Sequence, residues 1–270
     1  GAMSDPVRSV EGMKILHTSD WHIGRTFHGH ATLEALAEVL AALVAQVREN
    51  DVDVVVLAGD VFDSATPSAP ASTLLTDTLV ALHATGARVI VTSGNHDSAA
   101  RLGFQARLLR EGIHVVTDPT GIGEPITIED ADGPVRFFGI PYLEPAIVRQ
   151  HAAFQKPAFQ KPAFQKPASP QPAGATEDDG RPLRTQAQTL ARAMGLVRAG
   201  MAEHPGRTVV IAHCFAAGVD ATTGLEREIR QGGIDMVPVS LFEGVDYVAL
   251  GHIHGRQALT DRVRYAGAPL

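Results

Sequence analysis

The sequence predicts a layered α/β domain with parallel strand pairing. From Met13 onward short β-branched runs alternate with longer amphipathic ones, and the strongest runs are too short to be helices. Nearly every one of them stops in a polar loop rich in Asp, Asn and His. With 270 residues, 44% of them hydrophobic and 20% charged, the chain can bury a core, which excludes general disorder and a collagen-like fibre. No apolar run approaches the roughly 18 residues of a membrane span, and none follows a basic start as a secretion signal would. The one cysteine, Cys214, excludes an internal disulfide and fits a reducing, cytoplasmic setting. A net charge of −7 makes the surface a poor electrostatic trap for nucleic acid. Any phosphate must then be attracted locally, and a metal ion is the natural source of that positive charge.

The elements follow in order. Gly1-Ala2-Met3 reads as a protease-cleavage scar, so residues 1–12 are set aside and the domain is expected over 13–270. Lys14-Ile15-Leu16-His17-Thr18 reads as a strand ending in Ser19-Asp20-Trp21-His22. Leu33, Leu36, Ala37, Leu40, Leu43, Val44 and Val47 recur at helical spacing, which predicts a helix over 31–49. Asp53-Val54-Val55-Val56-Leu57-Ala58 has the composition of a buried strand and ends in Gly59-Asp60. A helix is expected near 69–85, then the strand Arg88-Val89-Ile90-Val91-Thr92 running into Gly94-Asn95-His96-Asp97. In residues 151–182 Phe-Gln-Lys-Pro-Ala recurs through Phe154, Phe159 and Phe164, and the proline density predicts an extended, mobile insertion within the domain. Residues 186–201 read as a helix, with strands at 208–212, ending in His213, and 246–250, ending in Gly251-His252-Ile253-His254.

The chemistry lies at the strand ends. Open α/β sheets build sites beyond the carboxyl ends of their strands, so residues distant in sequence can converge there. Residues two apart on an extended chain project the same way, so Asp20 with His22, and His252 with His254, should each enter one pocket. Singly, an Asp-x-His or a Gly-Asp is more often a turn or cap than a ligand. The ordered set of Asp-x-His, Gly-Asp, Gly-Asn-His-Asp, Ala-His and Gly-His-x-His, each after a β-run, predicts a binuclear metal site.

That set resembles the five motifs of the calcineurin-like metallophosphoesterases. Within them the chain is most similar to the SbcD-type nuclease subunits of bacterial SbcCD complexes, relatives of the double-strand-break repair nucleases. Residues 15–24, Gly59-Asp60-Val61-Phe62-Asp63, 94–98, 247–254 and Tyr265-Ala266-Gly267-Ala268-Pro269 carry the likeness. The resemblance implies a four-layer αββα sandwich of two mixed β-sheets flanked by helices. It implies that Asp20, His22, Asp60 and His254 hold one divalent ion and Asp60, Asn95, His213 and His252 the other, with Mn²⁺ as the metal. Two such ions about 3.5–4 Å apart can share a carboxylate and clamp both oxygens of an in-line displacement, and Asp60 is the candidate bridge. His96 is left off the metals, where the family's histidine protonates the leaving oxygen or steadies charge at phosphorus, with Asp63 as its expected orienter.

The implied activity is DNA hydrolysis, as a 3′–5′ exonuclease and single-strand endonuclease acting in repair and recombination. Its implied partners are DNA, an SbcC-type ATPase and a second copy of the chain, with no membrane. The chain stops at Leu270, before the capping and ATPase-gripping regions of such nucleases, so a truncated catalytic domain with weak, poorly processive activity is expected. Ser64-Ala65 after Asp63, and Asp97 ending the third motif, depart from the protein-phosphatase pattern. A cyclic-nucleotide phosphodiesterase remains an alternative, as does a non-catalytic scaffold, although scaffolds usually lack a ligand or the histidine at position 96. Arg25, His28 and His30 either rim the pocket as phosphate contacts or form a solvated loop, and Arg25 and His28 are carried as substrate-binding candidates. Asp97 is expected to be a hydrogen-bonding residue, His17 a satisfied buried histidine, and Cys214 a small buried residue.

Overall fold

Val54, Val55, Val56, Leu57 and Ala58 are all fully buried, and their alternation builds the centre of the molecule. Val54, Val56 and Ala58 join a core between two sheets, while Val55 and Leu57 join a second core beneath helices. A strand buried on both faces has no polar positions to spare, hence the unbroken apolar run. The computed structural model describes residues 12–27, 30–148, 150–151, 154, 183–217 and 236–270.

In chain order the elements are β1 (Ile15–Thr18), β2 (Thr26–Phe27), β3 (His30–Ala31), α1 (Leu33–Glu49), β4 (Val54–Ala58), α2 (Ala69–His83), β5 (Arg88–Thr92) and α3 (Ala99–Leu102). Then come β6 (Ile113–Val116), β7 (Ile126–Asp130), β8 (Gly133–Gly139), α4 (Pro145–Val148), α5 (Gln186–Glu203) and β9 (Arg207–His213). Short strands β10 (Ala216–Ala217) and β11 (Val237–Pro238) precede β12 (Tyr247–Gly251), β13 (Gln257–Ala258) and β14 (Val263–Tyr265). One sheet has the order β1-β4-β5-β6 and the other β13-β14-β12-β9-β8-β7.

The first sheet is parallel throughout, which corrects the expectation of two mixed sheets, because each of its connections crosses over through a helical segment: α1, α2 and the stretch bearing α3. The second is mixed, with antiparallel pairs at both ends, β7 on β8 and β13 on β14. Its outer face joins Phe138, Val210, Ala212, Val248 and Leu250 to Leu190, Ala193, Met194 and Val197 of α5. Leu36, Leu40, Val44 and Val47 of α1 cover the first sheet. The result is helices, sheet, sheet, helix, the four-layer α/β sandwich expected from the sequence. Among the described residues no helix is long and apolar enough to cross a membrane.

Helix boundaries follow local chemistry. Ser68 caps α2 by accepting from the Ala71 N–H, and Pro70 occupies the first turn, where its missing N–H costs nothing. Thr185 and Gln188 close a reciprocal capping box on α5, which fixes where the chain re-enters the fold after the repeat. Phe154, the first phenylalanine of that repeat, is only 3% exposed and joins the core cluster with Leu143, Val148 and Leu190. Its carbonyl accepts from Arg192 Nη2 at 3.4 Å. Position 154 therefore belongs to the packed domain, which corrects the boundary expected at 151. Burial of one large ring outweighs the local proline signal. The expected extended insertion over residues 155–182 lies outside the described residues.

Candidate metal centre

The carboxyl ends of β4, β9 and β12 meet across the sandwich. His213 Nδ1 is 3.0 Å from the carbonyl of Ala58, and a Cβ on Gly251 would sit 1.9 Å from that same oxygen. Only glycine allows this approach of two backbones. A Cβ on Gly94, at the end of β5, would lie 2.1 Å from Asp60 Oδ1, so glycine there lets the third motif close over the second.

These ends carry the sequence-predicted ligands. Asp20 and Asp60 are 1% and 2% exposed, and imidazoles, one hydroxyl and main-chain N–H groups meet them. Asp20 accepts from the Ser19 hydroxyl and from the His252 N–H, at 3.1 Å to each oxygen. Asp60 Oδ1 accepts from the His96 N–H at 2.9 Å, while Oδ2 is 3.3 Å from His213 Nε2 and 3.7 Å from His22 Nε2. Asp60 thus stands between two groups of donors. In one, His22 Nε2 lies 3.1 Å from His254 Nε2 and 4.0 Å from Asp20 Oδ1. In the other, Asn95 Oδ1 lies 3.0 Å from His213 Nε2 and 3.2 Å from His252 Nδ1. All seven predicted ligands are brought together.

The donor chemistry fits cations. The Ala58 carbonyl can only accept, so His213 carries its hydrogen on Nδ1 and, when neutral, aims a lone pair from Nε2. That lone pair faces the oxygens of Asp60 and Asn95. Lone pairs converging at 3.0–3.3 Å need a positive charge between them, either a proton or a metal ion. Ionisation reports the same demand. Burial pushes Asp60 upward, but His213 and the His96 N–H outweigh it and hold the carboxyl at about 2. Burial pushes His213 down, yet Asp60 raises it above the ordinary value for histidine. His22 and His252 are lowered, chiefly by burial.

The backbone is unusual at the same place. Among the described residues, the non-glycine positions with positive φ are Asp20 (55°), His22 (45°), Asp51 (49°), Asp60 (50°) and His252 (108°). All but Asp51 are predicted ligands. Such conformations cost about 1–3 kcal/mol each and survive where the surroundings over-determine them, commonly at functional sites. They also correct the strand-alternation expectation. Asp20 and His22 converge through two left-handed turns rather than an extended chain, and His252 and His254 split, one toward Asn95 and the other toward His22.

Beside the donors, the His96 ring packs edge-on to His22 with centroids 4.8 Å apart, and it is exposed. Its Nδ1 is 3.0 Å from the main-chain carbonyl of Asp63. The expected orienter was the Asp63 carboxylate, but Oδ1 of that group lies 3.3 Å from His22 Nδ1 instead. Asp97 accepts from the N–H groups of Gly94, Phe62 and Val61 at 2.8, 2.9 and 3.1 Å, tying the third motif to the second. Of the rim candidates, Arg25 is half-buried and its carbonyl anchors Thr32 at the start of α1; His28 lies outside the described residues. His30 is exposed in the β2–β3 hairpin.

The sequence profile of calcineurin-like phosphoesterases matches residues 13–153. The chain belongs to this family. Membership makes it a metal-dependent phosphoester hydrolase by class. Among solved structures it is similar to TT1561 of Thermus thermophilus, with 13% identity, a TM-score of 0.48, and coverage of 94% of this chain and 89% of that one. It is also similar to a dimetal phosphatase from Danio rerio, with 16% identity, a TM-score of 0.41, and coverage of 94% and 85%.

Proposed function

We propose that the protein is the catalytic domain of a metal-dependent DNA nuclease. It cleaves as a 3′–5′ exonuclease and single-strand endonuclease and works with an SbcC-type ATPase in the cytoplasm. The observation that carries the hydrolytic reading is the pair of donor groups either side of Asp60: Asp20, His22 and His254 on one side, Asn95, His213 and His252 on the other. Each group, with Asp60, would hold one divalent ion, taken to be Mn²⁺. The nuclease assignment rests on the sequence around the motifs. Exposed Asn95, His96 and His254 favour it, since a site open at the strand ends admits a polymer backbone.

Ions held there supply Lewis acidity that polarises phosphoryl oxygens and makes water nucleophilic near neutral pH. The chain does the rest. Asp60 binds between the two donor groups and is fixed by the His96 N–H. His213 is locked by Ala58 with Nε2 facing inward, and Asp20 is held by the main chain of His252. His96, its Nδ1 hydrogen engaged by the Asp63 carbonyl, keeps Nε2 free to hold a proton for the departing oxygen.

A gel assay on end-labelled single- and double-stranded DNA, with Mn²⁺, Mg²⁺ and chelator in parallel, tests the proposal. The expected result is Mn²⁺-dependent shortening from 3′ ends that chelator abolishes. Inert DNA alongside rapid hydrolysis of a cyclic nucleotide would replace the nuclease reading with the alternative.

A further inference from the structure

The geometry points to Asp63 as a positioning residue for His22 rather than for His96. The inference rests on the two-metal reading above and deepens it. Residues 20–23 and 59–63 are zipped together: Asp20, His22 and Ile23 donate their N–H groups to Gly59, Asp60 and Val61, each at 3.0 Å, and Asp63 donates back to Ile23 at 3.2 Å. Ile23 and Phe62 form a parallel bridge. This register sets the side chain at 63 against the back of the His22 ring, with Asp63 Oδ1 3.3 Å from Nδ1. His22 is only 4% exposed and its Nδ1 closes no hydrogen bond; among the described residues Asp63 is the one acid whose carboxylate lies within 4.0 Å of it, so a small turn of that carboxylate gives the buried N–H its acceptor.

The consequence is an orientation. With its hydrogen on Nδ1, His22 presents the Nε2 lone pair to His254, Asp60 and Asp20, at 3.1, 3.7 and 4.0 Å. A carboxylate behind a ligating histidine fixes its tautomer and raises its basicity. His96 asks nothing of the Asp63 side chain, because its partner is a main-chain oxygen that any residue at 63 would supply.

The test compares Mn²⁺ titration of the metal-stripped full chain by calorimetry with turnover of a chromogenic phosphodiester over a range of Mn²⁺ concentrations. In Asp63→Ala, one of two Mn²⁺ should bind about 10–100-fold more weakly, and excess Mn²⁺ should restore kcat. Asp63→Asn, whose amide oxygen can take the same place as acceptor for Nδ1–H, should recover most of that affinity. His96→Ala should bind both ions as wild type does and stay slow at every Mn²⁺ concentration. If Asp63→Ala instead binds both ions normally and stays slow like His96→Ala, the carboxylate acts through His96 and the inference is overturned. If wild type itself binds no Mn²⁺, the two-metal reading fails, and the inference with it.

Discussion

His17 offers a test of how the two sheets are joined beneath the site. Its Nε2 lies 3.1 Å from the Leu250 carbonyl and its Nδ1 3.0 Å from the Tyr247 hydroxyl, so β1 of one sheet is bonded to β12 of the other. The carbonyl can only accept, which puts the hydrogen on Nε2 and leaves Nδ1 to accept from tyrosine. The neutral ring is thus fully satisfied, and burial lowers its pKa from 6.5 to about 4. A group whose folded pKa is lowered binds its proton first in the unfolded chain. Stability is therefore complete above pH 6.5 and is lost as the pH falls toward about 4. At about 1.4 kcal/mol per pH unit the interval corresponds to about 3 kcal/mol, a ceiling because the ring keeps some contact with water. His17→Gln can keep both hydrogen bonds without titrating. Urea unfolding of both proteins at pH 7 and pH 4.5 should show wild type losing about 2–3 kcal/mol more than the variant. Equal losses would refute the buried neutral histidine.

Four further outcomes follow from contacts already described. His96→Ala should keep both metals but lose about 10²–10⁴-fold in turnover, whereas His213→Ala should lower metal occupancy, both read by metal analysis beside a phosphodiester assay. Gly251→Ala forces a Cβ to within 1.9 Å of the Ala58 carbonyl, and should cost about 3 kcal/mol or more in urea unfolding as the two backbones part. Phe154→Ala should cost about 3–5 kcal/mol in the same assay; a surface-like change below about 0.5 kcal/mol would remove Phe154 from the core.

Much of this was legible in the sequence because burial on both faces of a strand leaves an unmistakable apolar run. The run at 54–58 showed where β4 lies, and the heptad-like spacing of Leu36, Leu40, Val44 and Val47 showed α1. The candidate ligands were legible because they follow such runs. Less visible was the β7–β8 hairpin, although Ile126-Thr127-Ile128 alternates and Gly133, at φ 103°, follows Asp132 in the turn signature of such hairpins. Asp97 is the hydrogen-bonding residue expected from the sequence, but the contact made by the Asp63 carboxylate was hidden for another reason. Sequence gives a residue's type but not whether its carboxylate or its carbonyl does the work, and that choice depends on the register between residues 20–23 and 59–63.

Anomalous scattering from crystals of the protein grown with Mn²⁺ is the most direct check on the central claim. Two peaks should flank Asp60, one bounded by Asp20, His22 and His254, the other by Asn95, His213 and His252. A single peak, or none at these seven side chains, would contradict the two-metal hydrolase.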